Sequence, residues 1–150
     1  MNILLVYATY SSGTASASAA AEETLRAKGH TVKRQMAQAT NPEDFDGHDL
    51  IILASPSWQG GENDKKDGQP HIHFVELMKK FGGADFSGKS FAIFGLGDAH
   101  YARFCGAVDQ LEDWIKRLGG KLITTSLRIN KYYFDEENNN KILSDWVEKI

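Results

Sequence analysis

Apolar runs and amphipathic stretches alternate along the chain, and this alternation predicts its secondary structure. Residues 3–7, 50–54 and 91–94 are almost wholly apolar, which is typical of strands that are covered on both faces. Residues 31–36 and 122–129 predict two further strands, in which polar residues interrupt the apolar ones. The pattern therefore predicts five strands, at 3–7, 31–36, 50–54, 91–94 and 122–129.

Helical periodicity separates these strands. Residues 14–28 are rich in alanine and stop at Gly29, a common helix terminator. Later apolar residues recur at the i, i+3, i+4 spacing of one helical face: Phe74, Leu77, Met78 and Phe81, then Phe104 to Leu118, then Ile142 to Ile150. Strands that alternate with helices predict an α/β fold with a parallel sheet.

Composition limits the kinds of partner. The 150 residues fit one domain, 1–150, and carry a net charge of -3, which gives no attraction to nucleic acid or to an anionic membrane. No apolar run approaches the roughly 20 residues that a membrane span needs. The single cysteine, Cys105, excludes an internal disulfide and suits a reducing compartment. We therefore expect a cytoplasmic protein that binds neither nucleic acid nor membrane.

The turn after the first predicted strand has the composition of a phosphate site. It consists of Tyr10, Ser11, Ser12, Gly13, Thr14 and Ala15, and it leads directly into the first predicted helix. The first N–H groups of a helix lack partners, and the helix dipole favours an anion there. The first basic residue of the chain is Arg26, so hydroxyl and N–H groups would hold the phosphate without a neighbouring cation. The same residues also suit an ordinary helix start, so this pattern alone leaves both interpretations open.

Two further loops lie at the same edge of the predicted sheet. Ligands of such sheets bind beyond the carboxyl ends of the strands, which directs attention to residues 8–15, 55–63 and 95–105. Trp58 and Tyr101 lie in the second and third of these loops, where their rings are poorly placed for the core. Two aromatic faces could hold a flat ring, although each could instead pack its own loop. A phosphate site and a ring site together predict a ligand that resembles a mononucleotide.

At these loops the chain resembles the flavodoxins of the short type. The segment from Gly97 to Ala107 matches the family signature Gly-Asp-x-x-Tyr-x-x-Phe-Cys-x-Ala, and Ser55-Pro56-Ser57-Trp58 matches the family's second flavin loop. The resemblance covers nearly the whole chain. It implies a doubly wound, five-stranded parallel sheet of order 2-1-3-4-5 with helices on both faces. Flavodoxins are themselves the standard example of this order, with FMN at the switch point.

The resemblance also assigns roles in FMN binding. Residues 10–15 would hold the phosphate, Trp58 would cover the inner face of the isoalloxazine, and Tyr101 would cover the outer face. Backbone groups of residues 59–61 would face the flavin N5, and those of residues 96–98 and 105 would meet the pyrimidine edge. The implied cofactor-binding residues are Tyr10, Ser11, Ser12, Gly13, Thr14, Ala15, Ser55, Pro56, Ser57, Trp58, Gln59, Gly60, Gly61, Leu96, Gly97, Asp98, Tyr101, Phe104 and Cys105.

The function that the resemblance implies is one-electron transfer at low potential by non-covalently bound FMN. The chain would be a monomeric carrier between a donor, such as a flavodoxin reductase, and acceptor proteins. A phosphate without a compensating cation, together with Asp98, would oppose the negative charge that reduction adds. The second reduction potential would then be strongly negative.

Three features depart from the family pattern. Tyr10 and Ala15 stand where the phosphate loop usually has hydroxyl residues, Lys65-Lys66 stand in a loop that is more acidic in many members, and the net charge is only mildly negative. Tyr10 has no assigned role in this interpretation. The alternating pair His71 and His73 lacks a third ligand nearby, so no metal site is predicted.

Three other classes of protein remain as alternatives. A flavodoxin-like, FMN-dependent reductase of the NAD(P)H:quinone type would need a substrate pocket and a nicotinamide site, and no segment is dedicated to either. A response-regulator receiver needs acidic residues where this chain has Ala8-Thr9 and Ser55, which argues against it. A relative that has lost FMN and serves in interactions is the third alternative. The reductase is the main enzymatic rival to the electron carrier.

Overall fold

The computed structural model describes residues 1–57 and 68–150. Its strands, in chain order, are β1 (Asn2–Tyr7), β2 (Thr31–Met36), β3 (Leu50–Pro56), β4 (Ser90–Gly97), β5 (Lys121–Leu122) and β6 (Leu127–Asn130). They form one sheet of order β2-β1-β3-β4-β5, with β6 also paired to β4, and every pairing between these strands is parallel. The predicted fold class and strand order are confirmed.

In the two described ranges, four α-helices cover both faces of the sheet. They are α1 (Gly13–Ala27), α2 (Ile72–Phe81), α3 (Gly106–Arg117) and α4 (Glu136–Val147). Alternate residues of β1 enter two separate cores, since Leu4 and Val6 pack with α2 and α3, whereas Ile3 and Leu5 pack with α1 and α4. Burial on both faces explains why the central strands read as continuous apolar runs.

The last strand departs from the prediction. A continuous strand over 122–129 was expected, but the structure divides it into β5 and β6. Phe91 pairs with Leu122 and Phe94 pairs with Leu127, so three steps along β4 face five steps along the last strand. The two extra residues bulge out of the sheet, and the indole N–H of Trp146 on α4 donates to the Thr125 carbonyl at 2.8 Å. A contact with a distant helix thus replaces the strand pairing there.

The start of α4 shows how acidic residues fix a helix end. Asp135 is the N-cap residue, and its side chain accepts a hydrogen bond from the Asn138 N–H at 3.2 Å. Glu136 and Glu137 follow in the first turn, where negative charge suits the helix dipole. Residues 135–137 thus begin the last helix with favourable charge.

Replacing this cap is expected to destabilise the protein moderately. Asp135→Ala should lower the free energy of unfolding by about 1 kcal/mol, because an N–H group at the helix start loses its partner. Asp135→Asn keeps an acceptor at the same place and should lie close to the wild type. Urea unfolding followed by circular dichroism measures both variants. Equal losses in the two variants would contradict the capping role.

Candidate functional site

A cavity of about 290 Å³ opens at the carboxyl ends of the central strands, where the order reverses between β1 and β3. This is the edge at which sheets of this type bind their ligands. The residues that line it come from the turn after β1, the ends of β3 and β4, and the segment after β6. They are Thr9, Tyr10, Ser11, Gly13, Thr14, Pro56, Ser57, Leu96, Gly97, Asp98, Lys131, Tyr132, Tyr133 and Phe134.

The structure brings together many, but not all, of the residues that the sequence assigned to the site. The lining contains the predicted residues Tyr10, Ser11, Gly13, Thr14, Pro56, Ser57, Leu96, Gly97 and Asp98. Six predicted residues lie outside the lining, namely Ser12, Ala15, Ser55, Tyr101, Phe104 and Cys105. The assignments for Trp58, Gln59, Gly60 and Gly61 fall outside the described residues, and so do Lys65 and Lys66.

The turn after β1 presents a helix start to the cavity. Ser12 adopts a left-handed conformation (φ 67°) as the N-cap of α1, and its carbonyl accepts from the Ser16 N–H at 2.9 Å. The Ser12 side chain makes no capping bond, so the first N–H groups of α1 are left for a ligand or for water. Thr9, immediately before the turn, has a buried hydroxyl with no hydrogen-bond partner among the described residues. These unsatisfied polar groups fit an anionic ligand.

Tyr10 now acquires a structural role. Its ring stacks on that of His71, with the centroids 4.0 Å apart and the planes tilted by 36°, while the residue stays half exposed at the cavity. His71 is buried as the N-cap of α2, and its Nδ1 accepts from the His73 N–H at 3.1 Å. Tyrosine therefore stands at position 10, in place of the usual serine or threonine, where an aromatic partner, His71, is available. The contact between the two rings fixes the turn against α2.

The two histidines serve packing rather than metal binding in this part of the structure. Their rings lie 4.5 Å apart, and Nδ1 of His71 is already occupied by a backbone N–H. Among residues 1–57 and 68–150, no group of three His, Cys, Asp or Glu side chains could hold a metal ion. That these histidines form no metal site stays a prediction.

Burial of His71 should make the stability depend on pH. Burial is the main cause that lowers the pKa of His71 below its usual 6.5; the neighbouring His73 lowers it further, while a hydrogen bond to the Thr9 backbone and the charge of Glu76 oppose the change. The unfolded chain therefore binds the extra proton first. The contribution of neutral His71 to the free energy of unfolding is complete above pH 6.5, and it is lost as the pH falls towards the lowered pKa of His71.

His71→Asn tests this dependence, because asparagine keeps a capping acceptor but does not titrate. Between pH 7.5 and pH 5.5 we expect the wild type to lose more unfolding free energy than the variant. Urea unfolding at both pH values supplies the comparison, and His100→Asn serves as the control at an exposed histidine. Identical pH slopes for wild type and His71→Asn would contradict the assignment.

The end of β3 fixes the start of α3. The hydroxyl of the buried Ser57 accepts from the Ala107 N–H at 3.1 Å, and the Ser57 N–H donates to the Leu96 carbonyl at 3.1 Å. Ser55 is fully buried, and its Oγ donates to the Pro56 carbonyl and accepts from the His71 N–H. The side chain of Ser55 thus bonds within the scaffold and lies outside the lining, and its assignment as a binding residue stays a prediction.

The loop after β4 is closely packed. A Cβ added to Gly97 would lie 2.9 Å from Cys105 Sγ and 3.0 Å from Cys105 N, so the loop closes on itself at this glycine. Cys105 itself is fully buried in a left-handed conformation (φ 51°) as the N-cap of α3. Burial raises the pKa of its thiol to about 12, which keeps it protonated at neutral pH. The side chain of Cys105 is packed inside the protein and lies outside the lining.

Asp98 and Tyr101 mark the outer part of this loop. The Asp98 carboxylate accepts from the His100 N–H and contacts His100 Nδ1, each at 2.9 Å. The bond from the His100 backbone is the main cause that holds the pKa of Asp98 below its usual range, with a smaller contribution from Lys131. Tyr101 is 44% exposed and lies outside the lining, so its place over a ring stays a prediction.

The segment after β6 is the part of the site that the sequence interpretation missed. Lys131, Tyr132, Tyr133 and Phe134 line the cavity together with Thr9. The Tyr133 hydroxyl lies 3.4 Å from the Ser11 carbonyl, which ties this segment to the turn after β1. The available signal was three consecutive aromatic residues at the carboxyl end of the last strand. Lys131 also adds a basic residue to the lining, which the sequence interpretation did not anticipate.

The chain is similar to known proteins over most of its length. The model of the flavodoxin family matches residues 5–143. A probable flavodoxin 2 of Bacillus subtilis (strain 168) is 36% identical over 93% of this chain and 89% of its own length. The flavodoxin of Nitratidesulfovibrio vulgaris (strain DSM 19637 / Miyazaki F) is 31% identical over 86% of this chain and 84% of its own.

Solved structures show the same fold. Oxidised flavodoxin 2 of Bacillus cereus has a TM-score of 0.85 at 27% identity, over 99% of this chain and 97% of that one. Fusobacterium nucleatum flavodoxin bound to flavin mononucleotide has a TM-score of 0.82 at 22% identity, over 99% and 95% of the two chains. None of the helices in the described residues could cross a membrane. The matched family, relatives and structures agree, and the chain belongs to the flavodoxin family.

Proposed function

We propose that this chain is a low-potential, one-electron carrier that binds FMN non-covalently and moves electrons between a reductase, or another donor, and acceptor proteins. The observation that carries the proposal is the cavity at the β1–β3 switch point, where the start of α1 meets the glycine-containing end of β4. When bound, FMN supplies the one-electron redox chemistry. Residues 1–150 would act as one cytoplasmic, monomeric FMN-binding domain.

The polar groups at the cavity suit the phosphate end of FMN. The first N–H groups of α1, with the side chains of Ser11 and Thr14, would hold the phosphate, and the unpartnered hydroxyl of Thr9 would gain an acceptor. Gly97 lines the cavity, and because it has no side chain its backbone faces the cavity directly. Trp58 and Tyr101 remain the proposed ring-covering residues. The alternative, a reductase of the NAD(P)H:quinone type, needs a nicotinamide site that no described segment suggests.

The proposal is tested first by the visible spectrum of protein purified without added flavin. Flavin bands, or uptake of FMN by the colourless protein, would support it, and a protein that fails to take up FMN would overturn it. Riboflavin, which lacks the phosphate, should bind at least about tenfold more weakly than FMN, because a hydrogen bond to a charged group contributes about 1.5–3 kcal/mol. Steady NAD(P)H oxidation by the purified protein alone would favour the reductase instead.

Thr9→Val sharpens the test at the phosphate end. The valine side chain has a similar shape but no hydroxyl, and the hydroxyl that it removes has no partner among residues 1–57 and 68–150. Apoprotein stability should therefore stay unchanged or rise, while FMN binding should weaken by about three- to tenfold. Thr24→Val, which removes a hydroxyl on α1 that bonds the Ala20 carbonyl away from the cavity, is the control for FMN affinity. Unchanged FMN binding in Thr9→Val would remove Thr9 from the site.

A further inference from the structure

The backbone of Lys131 is held in an unusual conformation at the edge of the cavity. Its φ is 48°, in the left-handed region that residues with a side chain rarely adopt. Its N–H donates to the Gly97 carbonyl at 2.8 Å, and its own carbonyl accepts from Asn139 Nδ2 at 3.4 Å. Such a conformation costs about 1 kcal/mol or more and persists only where the surroundings enforce it. Glycine or asparagine would fit this position with less strain, so the presence of lysine calls for an explanation.

Lys131 is one of the residues that line the cavity. Its Nζ lies 5.0 Å from the ring centroid of Phe134, within the range of a cation–π contact. No carboxylate of the described residues lies within ion-pair distance of this ammonium, whereas Arg128, three residues earlier, pairs with Asp109. Lys131 and Asp98 are the charged residues of the described lining, and Lys131 contributes to the lowered pKa of Asp98. The lining thus includes a basic residue that forms no ion pair with a carboxylate of the described residues, although its charge reaches Asp98.

We propose that Lys131 sets the reduction potential and the affinity of the bound FMN, by placing a positive charge beside a cofactor that carries a phosphate and gains negative charge on reduction. This inference rests on the proposed function. The ammonium attracts the phosphate of oxidised FMN. It stabilises reduced FMN more strongly, because the negative charge next to Lys131 is then larger. Lys131 would therefore make the second reduction potential less negative than it would be in a site without a cation.

The expected consequences separate charge from packing. Lys131→Gln removes the charge and keeps a polar side chain of similar length, whereas Lys131→Arg keeps the charge at the same strained position. We expect Lys131→Gln to bind oxidised FMN about three- to tenfold more weakly, and reduced FMN more weakly still. A further tenfold loss of affinity for the reduced form would lower the second reduction potential by 59 mV. Lys131→Arg should restore the FMN affinity and the second reduction potential to near the wild-type values.

Asp98→Asn provides a variant of opposite sign. It removes the negative charge of the described lining while keeping an oxygen acceptor for the His100 N–H. The second reduction potential should then become less negative, opposite to the change in Lys131→Gln. If the two groups act through charge, the double variant should return towards the wild-type potential.

The experiment combines FMN titration of the apoprotein with anaerobic redox titration of wild type, Lys131→Gln, Lys131→Arg and Asp98→Asn. A more negative second potential in Lys131→Gln with rescue in Lys131→Arg supports the inference. An unchanged potential in Lys131→Gln overturns it while leaving the proposed function intact. Equal shifts in Lys131→Gln and Lys131→Arg would indicate a packing effect and would also overturn it. Wild-type protein that takes up no FMN would overturn the proposed function and the inference together.

Discussion

Gly97→Ala is expected to weaken FMN binding by about tenfold or more and to destabilise the apoprotein by about 1–3 kcal/mol. The added methyl group would lie 2.9 Å from Cys105 Sγ, 3.0 Å from Cys105 N and 3.3 Å from Phe104 Cδ2. A backbone nitrogen cannot rotate away as a side chain can, so β4 and the loop to α3 must move apart. That movement changes the part of the site that faces the pyrimidine edge in the proposed complex.

Gly83→Ala is the matched control for this variant, because a Cβ at Gly83 meets nothing within 4 Å and its φ is not in the left-handed region. FMN titration and urea unfolding of both apoproteins provide the two readouts. Adding Cys105→Ala to Gly97→Ala removes the Sγ contact but leaves the contact with the backbone nitrogen, so only partial recovery is expected. Wild-type affinity and stability in Gly97→Ala would show that the loop accommodates the methyl group, contrary to the close packing found here.

The sheet was predictable because its central strands are buried on both faces. Residues 3–7 read as a strand without ambiguity, since no polar residue interrupts them, and β1 indeed has both faces covered. The last strand was harder, because it is interrupted between Leu122 and Leu127, where the Thr125 carbonyl accepts a hydrogen bond from Trp146. A local pattern contains no information about that distant indole.

The site was predictable only where its residues follow one another in the chain. The turn at 10–15 could be recognised from composition, and residues 97–98 from the family signature. Lys131 could not, because 33 residues of sequence separate it from Asp98, and only the neighbouring ends of β4 and β6 bring the two into one lining. The role of Tyr10 could not be predicted for the same reason, since the ring on which it stacks is that of His71, the N-cap of α2. The lining residue Lys131 and the ring partner of Tyr10 both come from distant segments of the chain, which a local pattern does not reveal.

Ser57→Ala is the second change for which we expect a large effect. The Ser57 hydroxyl accepts from the Ala107 N–H, in the first turn of α3, and it performs the capping that the Cys105 side chain does not. Its removal leaves a buried N–H group without a partner, at an expected cost of about 1–3 kcal/mol in the free energy of unfolding. FMN binding should weaken as well, because Ser57 lines the cavity and joins two of its loops.

Ser126→Ala is the matched control, since Ser126 is also buried but its hydroxyl has no hydrogen-bond partner among the described residues. Its loss should be neutral or slightly stabilising. Bound FMN would stabilise the native state by mass action. Unfolding is therefore measured separately on the apoprotein and on protein in saturating FMN. Equal stabilities of Ser57→Ala and Ser126→Ala would contradict the capping role. A destabilised Ser57→Ala that still binds FMN with wild-type affinity would confine Ser57 to the scaffold.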